Sequence, residues 1–438
     1  MLRNNQRTIS IQFVCLLCLL AAGTLSACAG EQEKMEVEPV KVEIVGDTEG
    51  GKEAANDEND GNENGGAEGG GQAQTPSENA ENDGEMTSPD SGAEAEERTA
   101  SEDALKKQFG SDCLTDQIFE FALTENGETV LFVPHYSPGE KGFYMQIVKD
   151  DAVLSTVSGY VPEAIQGKQF ASLDAVSFFD VNFDGITDIV LVETYGDTTF
   201  AMVYYEDGFF AEMGELYFFS QRRLSERLTE SLDEVTIPKI RAYLTGGKKN
   251  GEFSGYQEAY EAVVRLRELE NPGPSEYSDG IQYDLIDFDG DDIPELASGN
   301  NGYHMSLYTY SEGSVYALMN DWGYGAMGNA GYEYSPGNNS LRNYNADYAG
   351  LINYLTYMTI GPRHSLEQVV QIVIYNFDDA NGNGMPDEAE EDSYGNYGVN
   401  KIDGREVTDE ECDVYDAGNY EYIEGKMNAD ELLAELNR

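Results

Sequence analysis

Apolar residues along this chain fall into short runs separated by polar, glycine-rich breaks, a pattern that predicts strands more than long helices. Residues 129–133 and 143–148 read as strands, and Lys149-Asp150-Asp151-Ala152 turns the second back into 153–157. Phe178-Phe179 leads into a polar loop at 180–188, which opens into the apolar run 189–192, as a core strand requires. Residues 200–205 and Phe209-Phe210 flank Glu206-Asp207-Gly208, a hairpin with a favoured Asp-Gly turn. The device returns downstream, where 305–310 and 315–318 flank Ser311-Glu312-Gly313-Ser314. Each hairpin follows an acidic loop. From the first Asp of that loop to the hairpin glycine is 28 residues in one copy and 26 in the other, an internal repeat. Residues 369–377 read as the last apolar strand.

Between the two copies the period becomes helical. Thr236 is an N-cap with Pro238 just inside, and the helix runs to Leu244 before Gly246-Gly247 stops it. Ser254 and Gln257 read as a capping box ahead of Tyr256, Tyr260, Val263, Val264 and Leu269, with Asn271-Pro272 as the stop. Thr408 with Glu411, and Asn428 with Glu431, cap two short helices near the end. The expected fold is therefore α+β and mainly β. Antiparallel modules at 105–221 and 273–377, arranged as a sandwich or part of a propeller, enclose a helical insert at 222–272. A loop, hairpin and helices follow at 378–438.

The polar loops carry the candidate chemistry. Calcium takes six to eight oxygens in loose geometry, and alternate loop positions supply them. Asp180, Asn182, Asp184 and Asp188 hold positions one, three, five and nine, with Gly185 at the sharp bend and the Ile186 carbonyl at position seven. Asp287, Asp289, Asp291 and Glu295 repeat the pattern with the carbonyl of Ile293, while Asp292 replaces the glycine. Asp tolerates a left-handed backbone better than most residues. Asp379, Asn381, Asn383 and Asp387 form a third copy around Gly384 with the Met385 carbonyl. That copy adds Glu390 at position twelve, the place of the bidentate acid in an EF-hand loop. All sixteen residues are candidate ligands, and calcium is the expected metal.

The N-terminal end changes the picture. Residues 1–8 are basic and 9–24 largely apolar, as in a secretory signal peptide. Leu25-Ser26-Ala27-Cys28 resembles the lipobox of bacterial lipoproteins, which implies removal of 1–27 and a diacylglycerol on Cys28. Two acyl chains suffice for stable anchoring at about 0.8 kcal/mol per buried methylene. The expected location is the extracytoplasmic face of a cell membrane. Residues 29–104 carry 23 acids, 4 bases and no aromatic residue, so no core forms there. They read as a disordered acidic tether with a reach of roughly 50 Å.

The net charge of −57 argues against nucleic acid as a partner, and the 29 Tyr and 18 Phe argue for real cores beyond the tether. Cys113 and Cys412 are either a bridge or two thiols. Arg222, Arg223, Arg227, Lys239 and Arg241 either bind an anion or balance nearby acids. Tyr332, Tyr334, Tyr344, Tyr348, Tyr354 and Tyr357 pack on sheet faces or stack on sugar rings. The three histidines, His135, His304 and His364, sit in no HExxH motif, and no GxSxG or phosphate-cradling glycine loop occurs.

The first two acidic loops resemble those of FG-GAP and VCBS-type repeats, in which a calcium loop joins two strands of a propeller blade. The segment 286–296 is similar to the "DxDGDGxPEL" stretch of exported clostridial lipoproteins, with Asp292 in place of a glycine. The resemblance implies a location and a metal rather than an activity. Two functions are therefore expected: a non-enzymatic, membrane-tethered surface protein that binds a glycan or protein ligand, or a secreted hydrolase of glycan or peptide in which calcium is structural.

Overall fold

The computed structural model describes residues 102–438 apart from 125–126, 140–141, 207–215, 272 and 276–277. The signal segment, Cys28, the tether up to residue 101 and the Asp207-Gly208 hairpin tip lie outside the described residues; residues 102–104, expected as the end of the tether, are instead helical.

The chain folds into four antiparallel sheets, each built mainly from strands that follow one another in sequence. The first is β1 (Phe119–Ala122), β2 (Thr129–Ser137), β3 (Gly142–Lys149) and β4 (Ala152–Ser158). The second is β5 (Phe170–Phe179), β6 (Asp188–Tyr195), β7 (Thr198–Glu206) and β8 (Phe218–Ser220). The third is β9 (Gln282–Ile286), β10 (Glu295–Asn300), β11 (His304–Ser311) and β12 (Ser314–Gly323). The fourth has β13 (Tyr332–Ser335), β14 (Ser340–Asp347), β15 (Ile352–Ile360) and β16 (Leu366–Tyr375) at its centre. The hairpin expected within 378–438 forms after β16. β17 (Val399–Ile402) and β18 (Arg405–Val407) extend that sheet beyond β16, and β19 (Glu421–Tyr422) pairs with β13 at its other edge. These strands are too short for hydrophobic periodicity to reveal.

Several turns obey local chemistry. Asp150 and Asp151 (φ 48° and 65°) join β3 to β4, and Glu312-Gly313 (φ 48° and 91°) joins β11 to β12. Two left-handed residues in succession match the twist of the flanking strands. Three helices lie between the second and third sheets in sequence: α1 (Arg222–Ser231), α2 (Ile237–Thr245) and α3 (Tyr256–Glu270). The helix α2 begins after Thr236 and ends on left-handed Gly246, as the sequence predicts. The capping box expected at Ser254 does not form. Gly255 is the N-cap of α3, and the Ser254 N–H and hydroxyl both donate to Glu258 at 2.9 and 2.8 Å. Both C-terminal capping boxes form, on α4 (Asp409–Cys412) and α5 (Ala429–Leu436). Cys113 and Cys412 are free thiols.

The cores stack in layers. One cluster joins the first two sheets through Phe132, Met145, Ile147, Ile189 and Leu191. A second joins the opposite face of the second sheet (Val190, Val192, Val203) to α1, α2, α3 and α5, and on to Leu296 and Tyr308 of the third sheet. A third joins the far face of the third sheet (Met305, Leu307) to Leu341 and Met358 of the fourth. The two inner sheets are thus buried on both faces, which is why 189–192 is continuously apolar instead of alternating. Each such side chain contributes roughly 1.5–3 kcal/mol by burial.

Candidate metal centres

The first two acidic loops sit at equivalent places: loop one joins β5 to β6, and loop two joins β9 to β10. Loop three follows β16 and leads toward β17. Their backbones match. Positions four and six are left-handed in all three: Phe183 (65°) and Gly185 (83°), Gly290 (79°) and Asp292 (71°), Gly382 (71°) and Gly384 (74°). Asp292 thus adopts the conformation that its place in the pattern requires. Phe183 is a bulky residue held against its steric preference. Its ring is buried, and its carbonyl accepts the Ala317 N–H of β12 at 2.8 Å.

The side chains shape the loops in the same way. The position-five N–H donates to the position-three oxygen: Asp184 to Asn182 (3.2 Å), Asp291 to Asp289 (3.2 Å) and Asn383 to Asn381 (2.9 Å). The position-seven N–H donates to position five: Ile186 to Asp184 (2.9 Å), Ile293 to Asp291 (2.8 Å) and Met385 to Asn383 (2.7 Å). In loops one and two the position-nine acid opens the inner strand and is buried. Asp188 accepts the Val181 N–H at 2.7 Å, and Glu295 accepts the Phe288 N–H at 3.0 Å and the Thr309 hydroxyl at 3.1 Å.

Loop three departs at this point. Asp387 caps a short 3-10 turn by accepting the Ala389 N–H at 2.8 Å. Glu390, at position twelve, is buried and takes the Asn381 N–H at 3.4 Å, while its Oε2 has no hydrogen-bond partner among the described residues. The Lys401 ammonium lies 3.9 Å from Asp379, so this loop already holds a cation near its first acid.

In the first two loops burial and mutual repulsion disfavour the charged carboxylates. Burial, then the neighbouring Asp184 charge, pushes the Asp180 carboxyl up to about 7. Burial, with Asp184 and Asp180, raises Asp188 well above the carboxylate range. In loop two, burial and the charge of Asp289 push Glu295 up to about 8. Asp289 rises through burial and the charge of Asp291. Asp289, Asp291 and Glu295 each bring one carboxylate oxygen within 4.8 Å of the others, and this triad can hold a metal ion. Among the described residues it is the one such group of acid, histidine or cysteine ligands.

Sequence reasoning missed what the loops touch. Besides the Phe183–Ala317 bond, loop two receives the Gly337 N–H on the Asp287 carbonyl and the Asn339 N–H on the Phe288 carbonyl, both at 2.9 Å. Loop one therefore ties the second sheet to the third, and loop two ties the third to the fourth. Hairpin register could have found Thr309, which lies opposite Glu295, but no local signal marks Ala317 or the 337–339 turn.

Several of the remaining candidates have protein partners. His304 Nδ1 lies 3.1 Å from Asp321, a carboxylate that also holds the buried Arg267. Arg241 lies over the Phe179 ring, Arg222 over Tyr160, and Lys239 pairs with Asp233 and Glu234. Lys239 thus balances neighbouring acids, whereas Arg222 and Arg241 rest on ring faces and Arg227 donates to the Glu268 and Asn271 carbonyls.

No family model matches this chain, and no curated protein matches it.

Proposed function

We propose that this chain is a calcium-stabilised, non-enzymatic binding protein held at the extracytoplasmic face of a membrane through Cys28. The observation that carries the metal is the shared loop framework, in which hard oxygen donors crowd and, among the described residues, no cation pairs with the acids of the first two loops. Asp180, Asn182, Asp184, the Ile186 carbonyl and Asp188 would hold one ion, and Asp287, Asp289, Asp291, the Ile293 carbonyl and Glu295 a second. Asp379, Asn381, Asn383, the Met385 carbonyl, Asp387 and Glu390 would hold a third, in competition with Lys401. Calcium would supply the charge that lets these carboxylates stay ionised side by side. Because loops one and two bridge adjacent sheets, the ions would stiffen the stack and present one rigid face to a ligand.

Thermal unfolding in calcium and in chelator tests this. A site with a dissociation constant of about 0.1 mM, at about 1 mM calcium, contributes about 1.4 kcal/mol. Two such sites raise the melting temperature by several degrees. Identical melting curves in calcium and in chelator would refute the reading.

A further inference from the structure

The tyrosine-rich stretch after the third sheet divides in two. Tyr332, Tyr334 and Tyr357 are buried in cores, whereas Tyr344 and Tyr348 are 40% and 50% exposed. Both exposed rings line one open depression of about 510 Å³ beside the fourth sheet, together with Met327, Asp347 and Asn353. Its size falls within the roughly 300–1,000 Å³ of small-molecule sites.

Two strained segments build its walls. On one side Tyr348, Ala349 and Gly350 are successive left-handed residues, with φ of 50°, 55° and 88°. L-residues resist that conformation, and it persists only where surroundings over-determine it. Here they do: Asn353 Nδ2 and Asn376 Nδ2 both donate to the Gly350 carbonyl, at 3.1 and 2.7 Å. The Asn376 N–H donates to Leu351 at 2.8 Å. On the other side Met327 is left-handed (52°) and 75% exposed. Gly328 follows at 89°, and a Cβ there would lie 1.9 Å from the Ala346 carbonyl oxygen. Only glycine permits that approach. Backbone strain is thus spent on holding two large side chains, Tyr348 and Met327, out in solvent, while β14 presents Tyr344 beside them.

We infer that this depression binds a sugar ring of a neutral glycan, seated on Tyr344 and Tyr348 with hydroxyls directed to Asp347. This deepens the binding reading above and rests on it. An aromatic face offers the weakly polar C–H face of a pyranose an apolar platform. Asp347 is the one charged side chain in the lining; it already takes the Tyr354 hydroxyl, and its remaining lone pairs are left to accept hydrogen bonds from sugar hydroxyls. The same carboxylate, on a chain of net charge −57, repels acidic sugars. A small organic cation is the competing occupant. It calls for an enclosed cage of rings, whereas here two half-exposed rings border an open saucer that leaves the outer hydroxyls of a sugar in water.

The test uses the full chain in detergent with calcium present throughout. Immobilised neutral oligosaccharides (glucans, mannans, xylans and N-acetylglucosamine oligomers) are screened, and binders are titrated by calorimetry. Heparin and tetramethylammonium chloride serve as anionic and cationic probes. At least one neutral oligosaccharide binds, and Tyr348→Asn weakens it about tenfold or more. Asn accepts the left-handed backbone more readily than Tyr, so the variant melts at or above the native temperature and a binding loss is not a folding loss. The inference is overturned if no neutral oligosaccharide binds at millimolar concentration, if Tyr348→Asn binds as the native chain does, or if tetramethylammonium alone binds. Each of these results leaves the calcium dependence of melting to stand or fall by its own measurement.

Discussion

Glu193 gives the sharpest quantitative test of the layered core. It lies in β6 between the first two sheets and is fully buried. Tyr195 donates its hydroxyl to Glu193 Oε2 at 2.9 Å, while Oε1 has no hydrogen-bond partner among the described residues. Burial pushes the carboxyl up to about 8, against a lowering contribution from the Tyr195 bond. The native state therefore keeps a proton that the unfolded chain releases above its ordinary value of 4.5. Native protein binds more protons across that window, so this group's contribution to stability is fully present below about 4.5 and is lost as the pH rises toward 8. Neutral pH lies about 2.5 pH units above the unfolded value, and at about 1.4 kcal/mol each the cost is roughly 3 kcal/mol.

Glu193→Gln removes that cost, keeps an acceptor for Tyr195 and adds one unsatisfied buried N–H worth about 1–2 kcal/mol. The net expectation is a gain of about 1–2 kcal/mol at pH 7, with little difference or a small loss near pH 5. Urea midpoints of both chains, compared at each pH from 5 to 8, measure it. Differencing cancels every other titrating group. Parallel pH profiles for the two chains, or a variant less stable than the native chain at pH 7, would show that Glu193 is not held neutral in an apolar layer.

Arg267 is almost wholly buried and bridges layers, from α3 to Glu270 at 2.9 Å and to both oxygens of Asp321 on β12. Arg267→Met leaves those two carboxylates without their cation and should lower stability by about 3–5 kcal/mol, read from the urea midpoint. Cys28→Ala should abolish incorporation of labelled palmitate in a bacterial host and shift the chain from the detergent phase to the aqueous phase; a native chain that takes up no label rules out the anchor.

The sequence exposed the loops because their chemistry is local. Ligand spacing and the left-handed positions are properties of nine consecutive residues, and Asp292 shows that even the substituted position followed the rule. The same holds for the Asp150-Asp151 and Glu312-Gly313 turns and for the two C-terminal capping boxes. The layer order was not legible, because which face of a strand meets which sheet is decided by residues far apart in the chain. Glu193 illustrates this. It follows the apolar run 189–192, yet β6 continues to Tyr195 and buries it in the layer beneath the first sheet. Ser254 failed for a nearer reason: a better acceptor, Glu258, lies one residue beyond the expected partner and draws both of its donors.

The position-nine acids link the loops to the stack. Asp188 and Glu295 begin strands buried on both faces, so neither carboxylate can be hydrated, and each is matched instead by the backbone N–H of position two. That bond closes the loop on itself before any ion is considered, and the bonds from positions five and seven shape the rest. A cation entering such a loop has little chain to order. On the calcium reading its contribution is mainly relief of carboxylate repulsion, unlike a site whose metal folds the chain around itself. Chelation should then lower the melting temperature while leaving far-ultraviolet circular dichroism at room temperature unchanged. A loss of strand signal on chelation would mean that the metal, rather than these backbone bonds, sets the loop conformation.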